Sequence, residues 1–318
     1  MRCILFSMIF MLVVTVQTGS FSTETEEAKS NPQILKLQVK KGEIFKYIFR
    51  TDLTREMHSQ NAKEELLSKT SDVLEMEIVQ TCKSVQENGD MVFDVTYGSF
   101  KLVRNIVEGT HSRKEVYTPE SLTIMDENEV AITKKWTDLP SSEQTELRKL
   151  FVQGFTFTAT PNGEIKEPSG ALPFDRELPG FNSIKSQQAV YYHGQPMEDG
   201  TIWNWNKTSL YPKLKDSPLS EKNIPSESEY EFIELKEVTG IPCAAISVKS
   251  KSDYANTDEN SSFTRELTEK AHIQMSNGMA VLVEGTLKSI LSYKGLSKGI
   301  KVTTSGSFTI KRVLSKPE

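Results

Sequence analysis

From residue 33 onward the chain alternates apolar and polar residues in steps of two. In "SDVLEMEIVQTCKSV" (71–85), Val73, Glu75, Glu77 and Val79 hold one parity and Leu74, Met76 and Ile78 the other. That period is a β-strand signature. "QENGDMVFDVTYGSFKLV" follows, and its Asn-Gly step lies between two alternating runs. Such a step fits a tight turn with positive φ, so 72–86 and 91–104 are expected to pair antiparallel. "GEIFKYIFRTDLTREM" reads as an earlier strand, and "FTFTATPNGEIKE" as a second hairpin with Phe155 and Phe157 on one face. "GTIWNWNKTSLYP", a hairpin around "TGIP", and two long closing strands from "GMAVLVEG" to "TIKRV" complete the pattern. One segment breaks it. "SSEQTELRKLFVQG" offers Ser141 or Ser142 as a cap, an apolar stripe of Leu147, Leu150 and Phe151, and Gly154 as a stop, predicting a helix near 141–153.

The two halves of the chain read as distant copies. "KKGEIFKYIF" aligns with "EDGTIWNWNK", matching Gly42 with Gly200, Ile44 with Ile202, Phe45 with Trp203 and Tyr47 with Trp205. In each copy an alternating strand, a Gly turn and a second apolar strand follow. The expected class is therefore mainly β: two related antiparallel β-rich halves, built as curved sheets or sandwich-like lobes, each supplying an apolar face to a shared core. The boundaries are a signal peptide at 1–22, a polar leader at 23–32, a first half at 33–167, a connector at 168–195 and a second half at 196–318.

This layout resembles a class of exported bacterial proteins built around a domain of unknown function. The carriers are the "KKGEIFKYIF" opening strand, the "GFTFTATPNGEI" mid-chain hairpin and the "QPMEDGTIWNW" restart, over about residues 33–314. The resemblance implies a duplicated antiparallel β architecture and transfers no active site.

The N-terminus suggests the compartment. Arg2 precedes an apolar run from Cys3 to Val16, and small polar residues follow, the pattern of a secretory signal. The run is short for a bilayer span, and no later segment is apolar enough to be one. Cleavage would remove Arg2 and no acid, changing 38 basic against 43 acidic residues to a formal charge of -6. That balance argues against nucleic acid or an anionic membrane as main partner. Localisation is expected to be periplasmic or extracellular. Cys82 and Cys243 are then either one disulfide or two buried thiols.

No catalytic motif emerges. His58, His111, His193 and His272 are isolated, with no HExxH or CxxC, so no metal site is expected. "DYANTDENSSFT" fails as a calcium loop: Asp258 stands where glycine is needed and Thr264 where a bidentate Glu is needed. There is no GxSxG or SxxK, and "GLSKG" (295–299) lacks P-loop spacing. Glu75, Glu77 and Asp94 are the remaining candidates for carboxylate chemistry. The sequons at Asn206 and Asn260 matter only in a glycosylating pathway. No cofactor is expected.

Three functions follow from this reading. The first is a non-enzymatic exported protein binding an apolar ligand or lipid, with Phe45, Tyr47, Trp203 and Trp205 as groove lining; the competing assignment of these four to the core is favoured. The second is an envelope or extracellular interaction protein using loops 105–135 and 214–228. The third is a hydrolase without a linear motif.

Overall fold

The computed structural model describes residues 34–60, 64–127, 129–138, 155–163, 165–169, 194–210, 223–256, 261–293 and 299–314. They lie within the compact unit Pro32–Glu318. The proposed signal peptide, leader and 141–153 helix, and residues 170–193 of the connector, fall outside the described residues.

Alternating sequence becomes strand throughout. The first meander is β1 (Ile44–Ser59), β2 (Leu66–Val85), β3 (Met91–Glu108), β4 (His111–Tyr117), β5 (Ser121–Asp126) and β6 (Ile132–Lys135). A short hairpin follows, β7 (Phe155–Ala159) and β8 (Ile165–Ser169). The second meander is β9 (Ile202–Leu210), β10 (Asn223–Val238), β11 (Ile241–Asn256), β12 (Ser261–Gln274), β13 (Ala280–Tyr293) and β14 (Ile300–Val313). The protein is mainly β, and every pairing is antiparallel.

The meanders are not separate lobes. The sheet order is β6-β5-β4-β3-β2-β1-β14-β13-β12-β11-β10-β9, with β7-β8 branching from β3. The first strand and the last pair in unbroken register from Lys46↔Val313 to Ser59↔Ile300. Such a ladder satisfies the backbone groups that two sandwich edges would leave open, so the lobe alternative gives way to one continuous sheet.

Turns form where the glycines predict them. Gly89 (φ 86°) closes the β2–β3 hairpin, where Asn88 accepts the Asp90 N–H at 3.0 Å. Thr239 and Gly240, at φ 50° and 81°, make the two-residue β10–β11 turn. The stretch 105–135, expected as a loop, is strand from the end of β3 through β6, followed by a 3-10 turn at Trp136–Asp138. Its residues alternate weakly, and pairing with β3 decides the outcome. Residues 214–222 of the other expected loop lie outside the described residues, and from Asn223 it is β10.

One face of the sheet carries the core. Leu74, Met76 and Ile78 of β2, Phe93 and Val95 of β3, Val283 and Leu287 of β13, and Ile246 and Val248 of β11 join one buried cluster. The segment before β1 completes it. Leu35, Leu37 and Val39 are buried there, while Ile34, Lys36, Gln38 and Lys40 are exposed. The Leu37 N–H donates to Pro161 O at 2.8 Å and the Gln38 N–H to Asn277 O at 3.0 Å. Successive N–H groups of an extended segment point to opposite sides. The β7–β8 and β12–β13 turns therefore flank this strap, about two strand spacings or ~10 Å apart. From β7 to β13 through the sheet is five spacings, about 24 Å if flat. The sheet bends around its core at this end.

Candidate functional site

The bend gives the core-bearing face a strapped end, near the start of β1, and a far end, near its finish. Cross-strand register divides that face into transverse rows. Toward the strapped end, Ile246, Ala271, Val283, Ile310, Phe49, Met76 and Phe100 stand opposite one another and are all buried. The next row includes Val248, Glu269, Gly285, Phe308, Thr51, Leu74 and Leu102. Phe308 lies directly over Gly285, where a Cβ would meet its ring.

Polar groups enter further out. Asp72 and Arg104 face each other across β2 and β3, and the Arg104 Nε and Nη2 donate to the two carboxylate oxygens at 2.8 and 3.2 Å. The Asp72 side chain is 5% exposed and that of Arg104 19%. Beside them Glu115, also buried, accepts the Tyr117 hydroxyl at 2.7 Å. One row on, Arg265, Ser289, Thr304 and Arg55 stand side by side on β12, β13, β14 and β1. Beyond them the face is apolar again, with Phe263, Leu291, Val302 and Met57 in register. Here Leu291, Val302, Met57, Arg55 and Arg265 are half-buried.

The proposed lining residues sit elsewhere. Phe45 (8% exposed), Tyr47 (5%) and Trp203 (8%) belong to the buried core cluster, and half-buried Trp205 packs against it. Trp203 stacks on Tyr230 at 5.4 Å between centroids and 17°. Arg312 lies 5.9 Å from the Phe45 ring centroid. Phe45 and Tyr47 are on β1, at the middle of the strand order, and Trp203 and Trp205 on edge strand β9. The structure therefore does not gather the four into one groove. It does give both pairs the same entry. Gly42 (φ 88°) donates its N–H to Cys82 O at 2.7 Å, and Gly200 (φ 80°) to Phe232 O at 2.8 Å. Ile44 and Ile202 are both exposed, at 59% and 56%.

Of the two alternatives for Cys82 and Cys243, the structure has the buried thiols. Cys82 and Cys243 are free, buried thiols on β2 and β11, with β1, β14, β13 and β12 between them. Only Cys82 belongs to the main core cluster, and four intervening strands far exceed the span of a disulfide. Burial pushes both thiols up, so neither is a ready thiolate at neutral pH. Burial likewise raises the Tyr47 phenol, with Arg312 opposing, so it stays protonated.

The carboxylate candidates serve local pairing. Asp94 holds Lys83 at 3.0 Å and accepts the Thr156 hydroxyl at 2.9 Å, and these contacts, the Lys83 hydrogen bond foremost, hold its carboxyl below the usual range. Glu77 accepts the Ser99 hydroxyl at 3.4 Å, and Glu75 is exposed opposite Arg50. His58 lies 3.7 Å from Glu56, His111 is exposed and His272 is buried; His193 is outside the described residues. Among the described residues no group of three or more His, Cys, Asp or Glu is placed to hold a metal. No described helix is long and apolar enough to cross a membrane.

The sequence reading missed Asp72, Arg104, Arg55 and Arg265. Counting outward from the Asn-Gly turn places Asp72 opposite Arg104, because the two β2–β3 bulges offset each other. Nothing local relates Arg55 to Arg265, which share a row only through the β1–β14, β14–β13 and β13–β12 pairings.

Comparison with known proteins adds little to this geometry. No protein-family model matches the chain, and no curated protein sequence does. Among solved structures, one titled for lipid-protein interactions in lipovitellin is similar at TM-score 0.48 and 10% identity, over 88% of this chain and 26% of lipovitellin. This chain thus spans about a quarter of that protein. OccK7 of Pseudomonas aeruginosa matches at TM-score 0.29 and 6% identity, over 86% of this chain and 99% of that one. The transport unit of the Escherichia coli autotransporter AIDA-I matches at 0.25 and 7%, over 92% and 94%. At such scores none of these likenesses bears on function.

Proposed function

We propose that this is an exported, non-enzymatic β-rich protein that holds an apolar ligand or lipid against the far end of its core-bearing face. One observation carries the reading. Beyond the row of Arg265, Ser289, Thr304 and Arg55 the face turns apolar again at Met57, Val302 and Leu291, which are in register and half covered beside buried Phe263. Apolar surface left in this state gains free energy from any apolar molecule laid on it. The raised thiols and the local engagement of Asp94 and Glu77 support a binding rather than a catalytic role. Export rests on the N-terminal pattern at 1–22, and the matched turns at Gly42 and Gly200 support a duplicated origin.

Native mass spectrometry of the purified full chain tests the reading. A co-purified lipid mass, or uptake of added oleyl alcohol, is the expected result. A protein that carries nothing and takes up nothing would end it.

A further inference from the structure

We propose that Arg312 and Tyr47, at the strapped end of the core-bearing face, form a binding site for an oxyanion, the carboxylate or phosphate group of a ligand. The inference is independent of the far-end reading above. Arg312 of β14 stands directly opposite Tyr47 of β1, so the two side chains rise from one face with Cα atoms about 5 Å apart. Arg312 is 8% exposed. Its Nη2 donates to Gln274 Oε1 at 2.5 Å, which leaves its other guanidinium N–H groups for a ligand. The guanidinium lies 5.9 Å from the Phe45 ring centroid, and among the described residues no carboxylate pairs with it. The Tyr47 hydroxyl is buried and has no hydrogen-bond partner among the described residues. A charge so nearly shut off from water is ordinarily paired, because desolvating a lone cation is costly. A guanidinium held by one amide and one ring, opposite an unused phenol donor, lacks the anion that its planar fork is shaped to hold.

The surroundings supply no substitute for that anion. The β1, β2 and β14 positions around the pair on this face are Phe45, Gln80, Ile78, Phe49 and Ile310. Glu43, the first acid outward from Phe45, accepts the Lys40 N–H at 2.7 Å. Glu269 of β12 stands two rows deeper, between Val248 and Gly285. The positive charge is felt locally: Arg312 opposes the rise that burial imposes on both the Tyr47 phenol and the Cys243 thiol. The pair also lies at the rim, within reach of solvent. Val313 and Leu314, the next residues after Arg312, are both exposed. Gln274 in turn donates to Ser276 Oγ at 2.7 Å, in the β12–β13 turn whose Asn277 O receives the strap's Gln38 N–H. An oxyanion entering beside this turn meets the guanidinium first and the phenol behind it.

Isothermal titration calorimetry of the full chain at pH 7 and low salt tests the site with inorganic phosphate and with octanoate. At least one of the two is expected to bind. Phosphate binding would identify a free oxyanion as the ligand, and octanoate binding alone the acidic end of an apolar molecule. Arg312→Met should weaken that binding about ten-fold or more, and Tyr47→Phe, which removes the hydroxyl and keeps the ring, about three-fold or more. The bound anion should also raise the wild-type unfolding midpoint and leave that of Arg312→Met unmoved. The same midpoints show whether the variants are folded, and Tyr47→Phe carries the comparison if Arg312→Met is not. Binding of neither anion, or binding that neither substitution weakens, would overturn the site. Either result leaves the far-end reading intact, since that reading is tested with uncharged oleyl alcohol.

Discussion

The two ends of one face have opposite character. At the strapped end Phe49, Phe93, Leu74 and Met76 are buried to 1% exposure or less. At the far end Met57, Val302 and Leu291, on β1, β14 and β13, are half-covered beside buried Phe263. Strand composition explains part of this, since the inward positions of β1 run from Phe45, Tyr47 and Phe49 to Arg55, Met57 and Ser59. The strap adds to it: Leu35, Leu37 and Val39 join the main buried cluster, and their segment is tied to the β7–β8 and β12–β13 turns. A sheet alternation states which face is apolar; what lies over that face decides whether it becomes core or surface for a ligand.

The largest expected effects test this contrast directly. Phe49→Ala should cost about 3–5 kcal/mol in urea unfolding, and Val302→Ala well under half of that, because half-covered apolar area is lost more cheaply. Similar costs would erase the distinction between the ends. Trp203→Ala should likewise cost about 3–5 kcal/mol and Trp205→Ala clearly less. A Trp203→Ala protein that keeps its melting temperature and loses a ligand would return that residue to the binding site.

Asp72→Asn should cost about 2–3 kcal/mol, less than a fully buried pair because Arg104 is partly exposed. The double variant Asp72→Leu with Arg104→Met should recover much of that loss, measured by a double-mutant cycle. Full additivity would mean that the pair does not act as a unit.

Gly278→Ala tests the strap. Gly278 has φ 72°, and an added Cβ would collide with the Lys36 carbonyl. A loss of about 1–3 kcal/mol is expected, with limited proteolysis newly cutting near residues 34–40. Unchanged protection there would show that the strap is held by its apolar residues alone.

The smallest effect is one of pH. His272 lies on β12 opposite Ala245 and Leu282, and burial, aided by Lys236 and Lys270, holds its imidazole below the usual value. The unfolded chain then binds the proton more readily than the folded one. Stability from this residue is complete above about pH 6.5 and falls as pH drops from there through the folded value. His272→Gln should flatten that part of the stability profile, and an unaltered acid slope would assign it to other groups.

Legibility followed the range of the interaction. The hairpins at Gly89 and Gly240 were readable because a turn and two alternating runs are adjacent in the chain. The Asp72–Arg104 pair was reachable by the same counting, although the reading did not make it. Whether Phe45, Tyr47, Trp203 and Trp205 line a groove or fill the core was not, because aromatic alternation is identical in core and binding site. The choice between a disulfide and two thiols was likewise open, because two cysteines beside turns say nothing of the four strands that separate them.

By itself the sequence determined the long alternating strands and their tight turns, though not β4 to β6, since backbone sterics and side-chain alternation act over a few residues. Only the tertiary structure decided that β1 pairs with β14, that the halves form one sheet, and that two arginines far apart in the chain share a row. Those outcomes depend on which edges meet, and a backbone edge presents the same N–H and C=O groups whatever its side chains.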